Sequence, residues 1–150
     1  MSGYFFDSSA LVKRYHNEPG TQKVDEIIEH PEADLVISSL AISEVTSALH
    51  RKRQERKISD ELLTDLLVAF YNEVLSKFTV ISLDDSLIPP SIDLILRQNL
   101  RTLDSLQLAA VLSIFELLPE GECTFVCADQ KLSEVAEVEG VAILNPEETC

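Results

Sequence analysis

Glycine is scarce in this chain, with four in 150 residues. Neither GxGxxG nor GxxxxGK[ST] occurs, which argues against a loop that cradles nucleotide phosphates. Long apolar runs are missing too. The apolar stretches are short and broken by charge, so none suits the hydrocarbon of a bilayer. No apolar leader precedes Asp7, so the expected compartment is the cytoplasm, with no membrane partner. Cysteine is limited to Cys123, Cys127 and Cys150, without a CxxC or a neighbouring histidine pattern. Small buried apolar residues with free thiols are the better reading, ahead of zinc or redox chemistry. His16, His30 and His50 share no spacing, which argues against a histidine ligand set or general base. Basic charge is the last shortage. Twelve Lys and Arg face 26 Asp and Glu, for a net charge of −14. Taken whole, such a chain repels nucleic acid. Five of those twelve cations nevertheless cluster in HRKRQERK, residues 50–57.

The chain is long enough for one domain, residues 1–150, burying roughly 70% of the surface exposed when unfolded. Strand and helix periodicities alternate along it. YFFD, ADLVISS, FTVISL, CTFVCAD and VAILNP read as strands. Helices are expected in SSALVKRYHNE up to Pro19-Gly20, in TQKVDEIIEH, in LAISEVTSALHRKRQER and in SDELLTDLLVAFYNEVLSKF, with Ser59 as N-cap. DDSLIPPSIDLILRQN reads as a helix broken or kinked at Pro89-Pro90. TLDSLQLAAVLSIFELL is apolar on nearly every side and reads as buried, and QKLSEVAEVEG is a last helix. Phenylalanines and tyrosines fall at core spacing. The fold class is α/β, a three-layer α/β/α sandwich with a central, mainly parallel sheet. In such sheets ligands bind beyond the carboxyl ends of the strands.

Four acids occupy that edge. Asp7 ends the first strand and Asp129 ends CTFVCAD; Asp104 opens the most apolar helix; Glu44 lies early in the helix after ADLVISS. Each has an ordinary explanation. Asp7 and Asp129 suit N-caps, Asp104 suits a helix dipole with Thr102 as cap, and Glu44 suits a solvated face. Four acids at equivalent topological places weaken those separate accounts. Converging carboxylates repel, and a divalent cation relieves the repulsion. An oxygen-only ligand set favours Mg²⁺ or Mn²⁺ over zinc. Such a site supports phosphodiester hydrolysis by an acidified water, leaving a 5′-phosphate and a 3′-hydroxyl without a His or Cys nucleophile.

The segments FFDSSALVKRY, SSLAISEV, LRTLDSLQLAA and FVCADQKLSEVAEVEGV, with a later NP, resemble PIN-domain nucleases. They are most similar to VapC-type toxins of bacterial toxin–antitoxin pairs, in order from about residue 4 to 146. The resemblance implies that Asp7, Glu44, Asp104 and Asp129 are catalytic and hold Mg²⁺ or Mn²⁺. It implies accessory roles for Ser8 or Ser9, and more weakly for Ser39 and Ser43. It also implies an endoribonuclease acting on structured RNA such as tRNA or rRNA, a cognate antitoxin partner and a homodimer. The alternative is a noncatalytic PIN-like module that binds RNA or a protein.

HRKRQERK closes its helix, where positive charge complements the dipole. Phosphate contact by Arg51, Lys52 and Arg53 is the functional reading, joined by Lys13 and Arg14 near Asp7. A phospho-acceptor receiver domain would use Asp84 and Asp85 of ISLDD. It is disfavoured because the last strand ends in Asn145-Pro146, where a phosphoryl-binding lysine would be required.

Overall fold

The computed structural model describes residues 2–148; Cys150 lies outside them. Five strands form one all-parallel sheet: β1 (Ser2–Phe6), β2 (Ala33–Ser38), β3 (Phe78–Ile81), β4 (Cys123–Val126) and β5 (Ile143–Leu144). Their order is β3-β2-β1-β4-β5. From central β1 the chain first builds outward through β2 and β3, then returns to β1's other side. The order therefore reverses between β1 and β4. Their registers, Phe5 with Phe125 and Phe6 with Val126, bring both strand ends to one level.

Successive side chains of a strand point to opposite faces, and the paired aromatics of β1 use that rule to support two cores. Phe6 packs with Leu11, Ile37, Val45 and Phe70 on one face. Phe5 packs with Leu94, Leu108, Phe125 and Leu132 on the other. Both rings are fully buried, each stabilising the fold by roughly 1.5–3 kcal/mol. The first face is covered by α1 (Ser8–Leu11), α2 (Thr21–Glu29), α3 (Ser39–Gln54) and α4 (Asp60–Lys77). The second is covered by α5 (Ile88–Gln98), α6 (Thr102–Phe115) and α7 (Gln130–Val138). In α3 the buried Ala41, Val45 and Leu49 recur every fourth residue, which turns one stripe inward.

Several elements differ from the periodicity. The helix after Asp7 is one turn long and passes into a 3₁₀ turn over Val12–Arg14. Pro89 and Pro90 neither break nor kink a helix. They sit in the first turn of α5, where backbone N–H groups have no intrahelical acceptor to lose. The last strand shortens to two residues. Cys123 and Cys127 are buried free thiols, as expected. No helix among the described residues is long and apolar enough to cross a membrane.

Candidate metal centre

Asp7 follows β1 directly, and its backbone N–H donates to Val126 O of β4 at 2.9 Å. That bond ties the acid to the strand across the point of reversal. Asp7 also caps α1. Its Oδ2 accepts from Ser9 N–H (3.1 Å) and from the Ser9 hydroxyl (2.5 Å). The Ser9 hydroxyl in turn accepts from Ala128 N–H at 3.0 Å. Ser9 is thus a bracket joining the end of β1 to the loop after β4. Asp129 stands three residues beyond the end of β4 and caps α7 by accepting from Leu132 N–H at 3.0 Å. For both aspartates the capping expectation holds, and both also line one cleft.

Asp104 is the third residue of α6. Thr102 does not cap this helix: the N-cap position is Arg101, and Thr102 is already helical. Glu44 lies in the second turn of α3 and is half-buried, so it is not a fully solvated side chain. All four acids line one cleft of about 450 Å³, shared with Ser8, Ser9 and Ser47. At its floor Asp7 is only 6% exposed.

The acids act on one another. Burial raises the Asp7 carboxyl above its ordinary value; Ser9 opposes this, and the charges of Asp104 and Asp129 add to it. Burial, then Asp7 and Asp104, raise Glu44, while the Ser8 hydroxyl opposes. Burial and Asp129 raise Asp104, against the positive charges of Arg101 and Lys131. Cys127 lies beneath, its thiol 3.8 Å from Asp7 Oδ2 and pushed up to about 12 by burial and by Asp7. A thiol held protonated in this way is no nucleophile at neutral pH.

Among the described residues no three His, Cys, Asp or Glu side chains already stand close enough to grip one ion. Magnesium, however, usually takes one or two protein carboxylates, several waters and the substrate's phosphate oxygens, not an all-protein cage. The four-carboxylate, oxygen-only cleft fits Mg²⁺ or Mn²⁺ on that chemistry.

The remaining sequence candidates divide. Ser39 and Ser43 are exposed and outside the cleft lining; Ser47, one turn beyond Glu44, lines it in their place. Arg51 lines the cleft, with Nη1 donating to Ser47 Oγ at 3.3 Å. Lys52 pairs with Glu18 and Arg53 with Asp60. Lys13 is buried between Glu18 and Glu147, both at 3.1 Å. Arg14 is held by Asp25, Glu29 and Glu73. The structure therefore does not bring Lys13 or Arg14 into the cleft. Arg101 and Leu103 do line it, and sequence reading passed over both. Their signal was local: they stand three residues and one residue before Asp104.

An all-parallel sheet between helical layers, with carboxylates at its carboxyl edge beside a strand-order reversal, is an α/β domain built to bind a ligand there. The PIN domain profile matches residues 4–138, and the chain belongs to the PIN domain family. A search of curated proteins gives no match. Among solved structures, a toxin–antitoxin complex from Klebsiella pneumoniae aligns with a TM-score of 0.62 at 18% identity, covering 97% of this chain and 99% of that one. VapBC2 from Rickettsia felis, bound to a DNA fragment from its promoter, gives 0.64 at 14% identity, covering 95% and 98%. FitAcB from Neisseria gonorrhoeae gives 0.64 at 12%, covering 95% and 97%. At such identities the likeness establishes the fold.

Proposed function

We propose that this PIN-domain chain is a metal-dependent endoribonuclease and the toxin of a toxin–antitoxin pair. One observation carries the reading. Four carboxylates from four separate elements line one cleft, and among the described residues the one ion pair any of them makes is Arg101 with Asp104 at 3.8 Å. Asp7, Glu44, Asp104 and Asp129 are the residues that would hold Mg²⁺ or Mn²⁺. Bound there, such an ion supplies an acidified water and charge stabilisation for phosphodiester hydrolysis. The chain's own residues prepare that chemistry. Ser9 occupies Asp7 Oδ2 and fixes the carboxylate's rotation. Glu44 and Asp104 hold their charge at opposite walls, with Ser8 beside Glu44.

The Klebsiella neighbour is a toxin–antitoxin complex, which supports an antitoxin as the protein partner here. A homodimer is supported by apolar residues left exposed on α4, among them Val68 and Leu75. Structured RNA, tRNA or rRNA, is the proposed substrate. The test is cleavage of such RNA by purified protein with Mg²⁺ or Mn²⁺. Wild type should cut, and Asp7→Asn and Asp104→Asn should not. Failure to cut with several metals, together with unchanged toxicity of the mutants in cells, would sink the proposal. A noncatalytic binding module would show neither cleavage nor a metal-dependent thermal shift.

A further inference from the structure

Two polar side chains at the second face of the sheet are bonded in a way that serves neither of their helices locally. Ser38 ends β2 and is the N-cap residue of α3, yet its side chain caps nothing. A serine at that position ordinarily accepts from an N–H of the first turn, as Ser59 does from Leu62 N–H at the start of α4. The Ser38 hydroxyl instead donates to Gln107 Oε1 at 2.6 Å, across 69 positions of sequence. Gln107 is unusual in its own right. It is 2% exposed, and its Nε2 has no hydrogen-bond partner among the described residues. A buried donor without an acceptor destabilises a fold. An apolar side chain of like size would avoid that penalty, so what the amide provides is the bond from Ser38.

The bond also has a particular place. Val36 packs against the core around Phe5, and by the alternation of a strand Ser38 points to the same face, the one α6 covers. Ser38 is fully buried and leads into α3, which carries Glu44 six residues later. Gln107 stands three residues beyond Asp104, on the same side of α6. The bond therefore joins the two elements that carry Glu44 and Asp104. The other two acids have ties of their own, since Asp7 N–H reaches Val126 O and the Ser9 hydroxyl takes Ala128 N–H. Among the described residues, Ser38 with Gln107 is the one hydrogen bond between the β2–α3 segment and α6.

A tie is needed there. Burial, then the charges of Asp7 and Asp104, raise the Glu44 carboxyl, which marks walls that repel. Repelling carboxylates on separate helices move apart unless the helices are joined beneath them. Metal ligands work well only when packing and outer hydrogen bonds hold them near their productive geometry.

We propose that Gln107 is a positioning residue of the metal centre: with Ser38 it forms a buried clasp that sets the spacing of Glu44 and Asp104 for a divalent ion. Neither member of the clasp lines the cleft, so each acts through the acids and not on the substrate. The inference rests on the metal-dependent reading of the cleft and extends that site to two residues beneath it.

The experiment measures Mn²⁺ binding by isothermal titration calorimetry, with urea unfolding of the same proteins in EDTA. Wild type is compared with Gln107→Leu, Ser38→Ala and the double variant. Gln107→Leu removes the clasp and the orphan donor together, so its stability should stay near or above that of wild type. Its Mn²⁺ dissociation constant should nevertheless rise about tenfold, the lower end of what residues behind metal ligands contribute. Ser38→Ala should weaken binding equally, and the double variant no further, because one bond carries the effect. Ser38→Ala, the milder change, decides the matter if Gln107→Leu does not fold. Leu94→Val, in the same core but on α5, should lower stability and leave the constant unchanged. Unchanged affinity in the clasp variants, additive losses in the double variant, or equal weakening by Leu94→Val would each overturn the inference. If wild type binds no Mn²⁺, the clasp falls together with the metal-dependent reading. Equally tight binding by wild type and the clasp variants retires the clasp alone.

Discussion

Asp25, Glu29 and Glu73 converge on Arg14 much as Asp7, Glu44, Asp104 and Asp129 converge on the cleft, yet only in the first cluster does one cation pair with every acid; in the cleft Arg101 reaches Asp104, at 3.8 Å. Arg14 grips Glu73 through two bonds of 3.1 and 3.0 Å and reaches Asp25 and Glu29 at 3.0 and 2.7 Å. The Tyr15 hydroxyl donates to Glu73 at 2.9 Å. Against the penalty of burial, bonds from Arg14, Tyr15 and Lys77 bring the Glu73 carboxyl down to about 2. In the cleft the direction is opposite, with Asp7, Glu44 and Asp104 all raised. The contrast separates acids that hold the fold together from acids held ready by it. A carboxylate cluster completed by arginine is structural, and one left uncompensated in a concave site has room for an external cation.

The largest expected effect breaks the comparison on the cleft side. Asp104→Asn removes a proposed metal ligand and should lower RNA cleavage about a thousandfold or more, the scale of several kcal/mol of charge stabilisation. Its melting temperature without metal should match or exceed that of wild type, because a repelling charge is lost. A stability loss comparable to the activity loss would mean that Asp104 is a structural acid like Glu73.

Next in size is the mirror experiment. Arg14→Met removes four charge-assisted hydrogen bonds from a part-buried cluster, a loss of about 3 kcal/mol. Urea unfolding should show that loss, while cleavage per folded molecule stays near wild type. If cleavage fell with stability intact, Arg14 would belong to the RNA surface, as its position near Asp7 in the sequence suggested.

The two clusters also differ in how legible they were. Capping acids are local signals, so Asp7 and Asp129 announced their backbone positions, and strand–helix alternation placed Asp104 and Glu44 at the same edge. The Arg14 cluster was invisible, because it joins residues 59 positions apart. The ion pairs of Lys13 were hidden for the same reason: one of its partners, Glu147, lies 134 residues away. Pro89-Pro90 misled because proline signals a helix's first turn as readily as its break. Arg101 went unread because an exposed arginine before a helix has no pattern of its own.

A smaller effect sharpens the same contrast. Magnesium should stabilise wild type by about 2.7 kcal/mol at a hundred times its dissociation constant, a rise in melting temperature of several degrees. Asp7→Asn should lose most of that shift, and Glu73→Gln should keep it. An equal shift in both variants would place the ion outside the cleft.

The smallest effect concerns pH, and it has opposite signs in the two clusters. Acids whose folded values are raised, here Asp7, Glu44 and Asp104, bind protons more readily in the folded protein than in the unfolded chain. Their contribution to stability is fully present below the ordinary carboxylate values of 3.8 and 4.5 and is lost as pH rises through the raised folded values. Glu73 behaves conversely. Its stabilisation is present above 4.5 and is lost as pH falls toward about 2. Without metal, the protein should therefore gain stability on acidification from neutral pH into the range just above 4.5, and lose it below. With Mg²⁺ the carboxylates are held ionised, protons compete with the ion, and the same acidification should reduce stability. Thermal melts in EDTA and in Mg²⁺ across that window give the measurement. Parallel curves in the two buffers would show that the cleft acids do not answer to a cation, and the distinction between the clusters would collapse into one of burial alone.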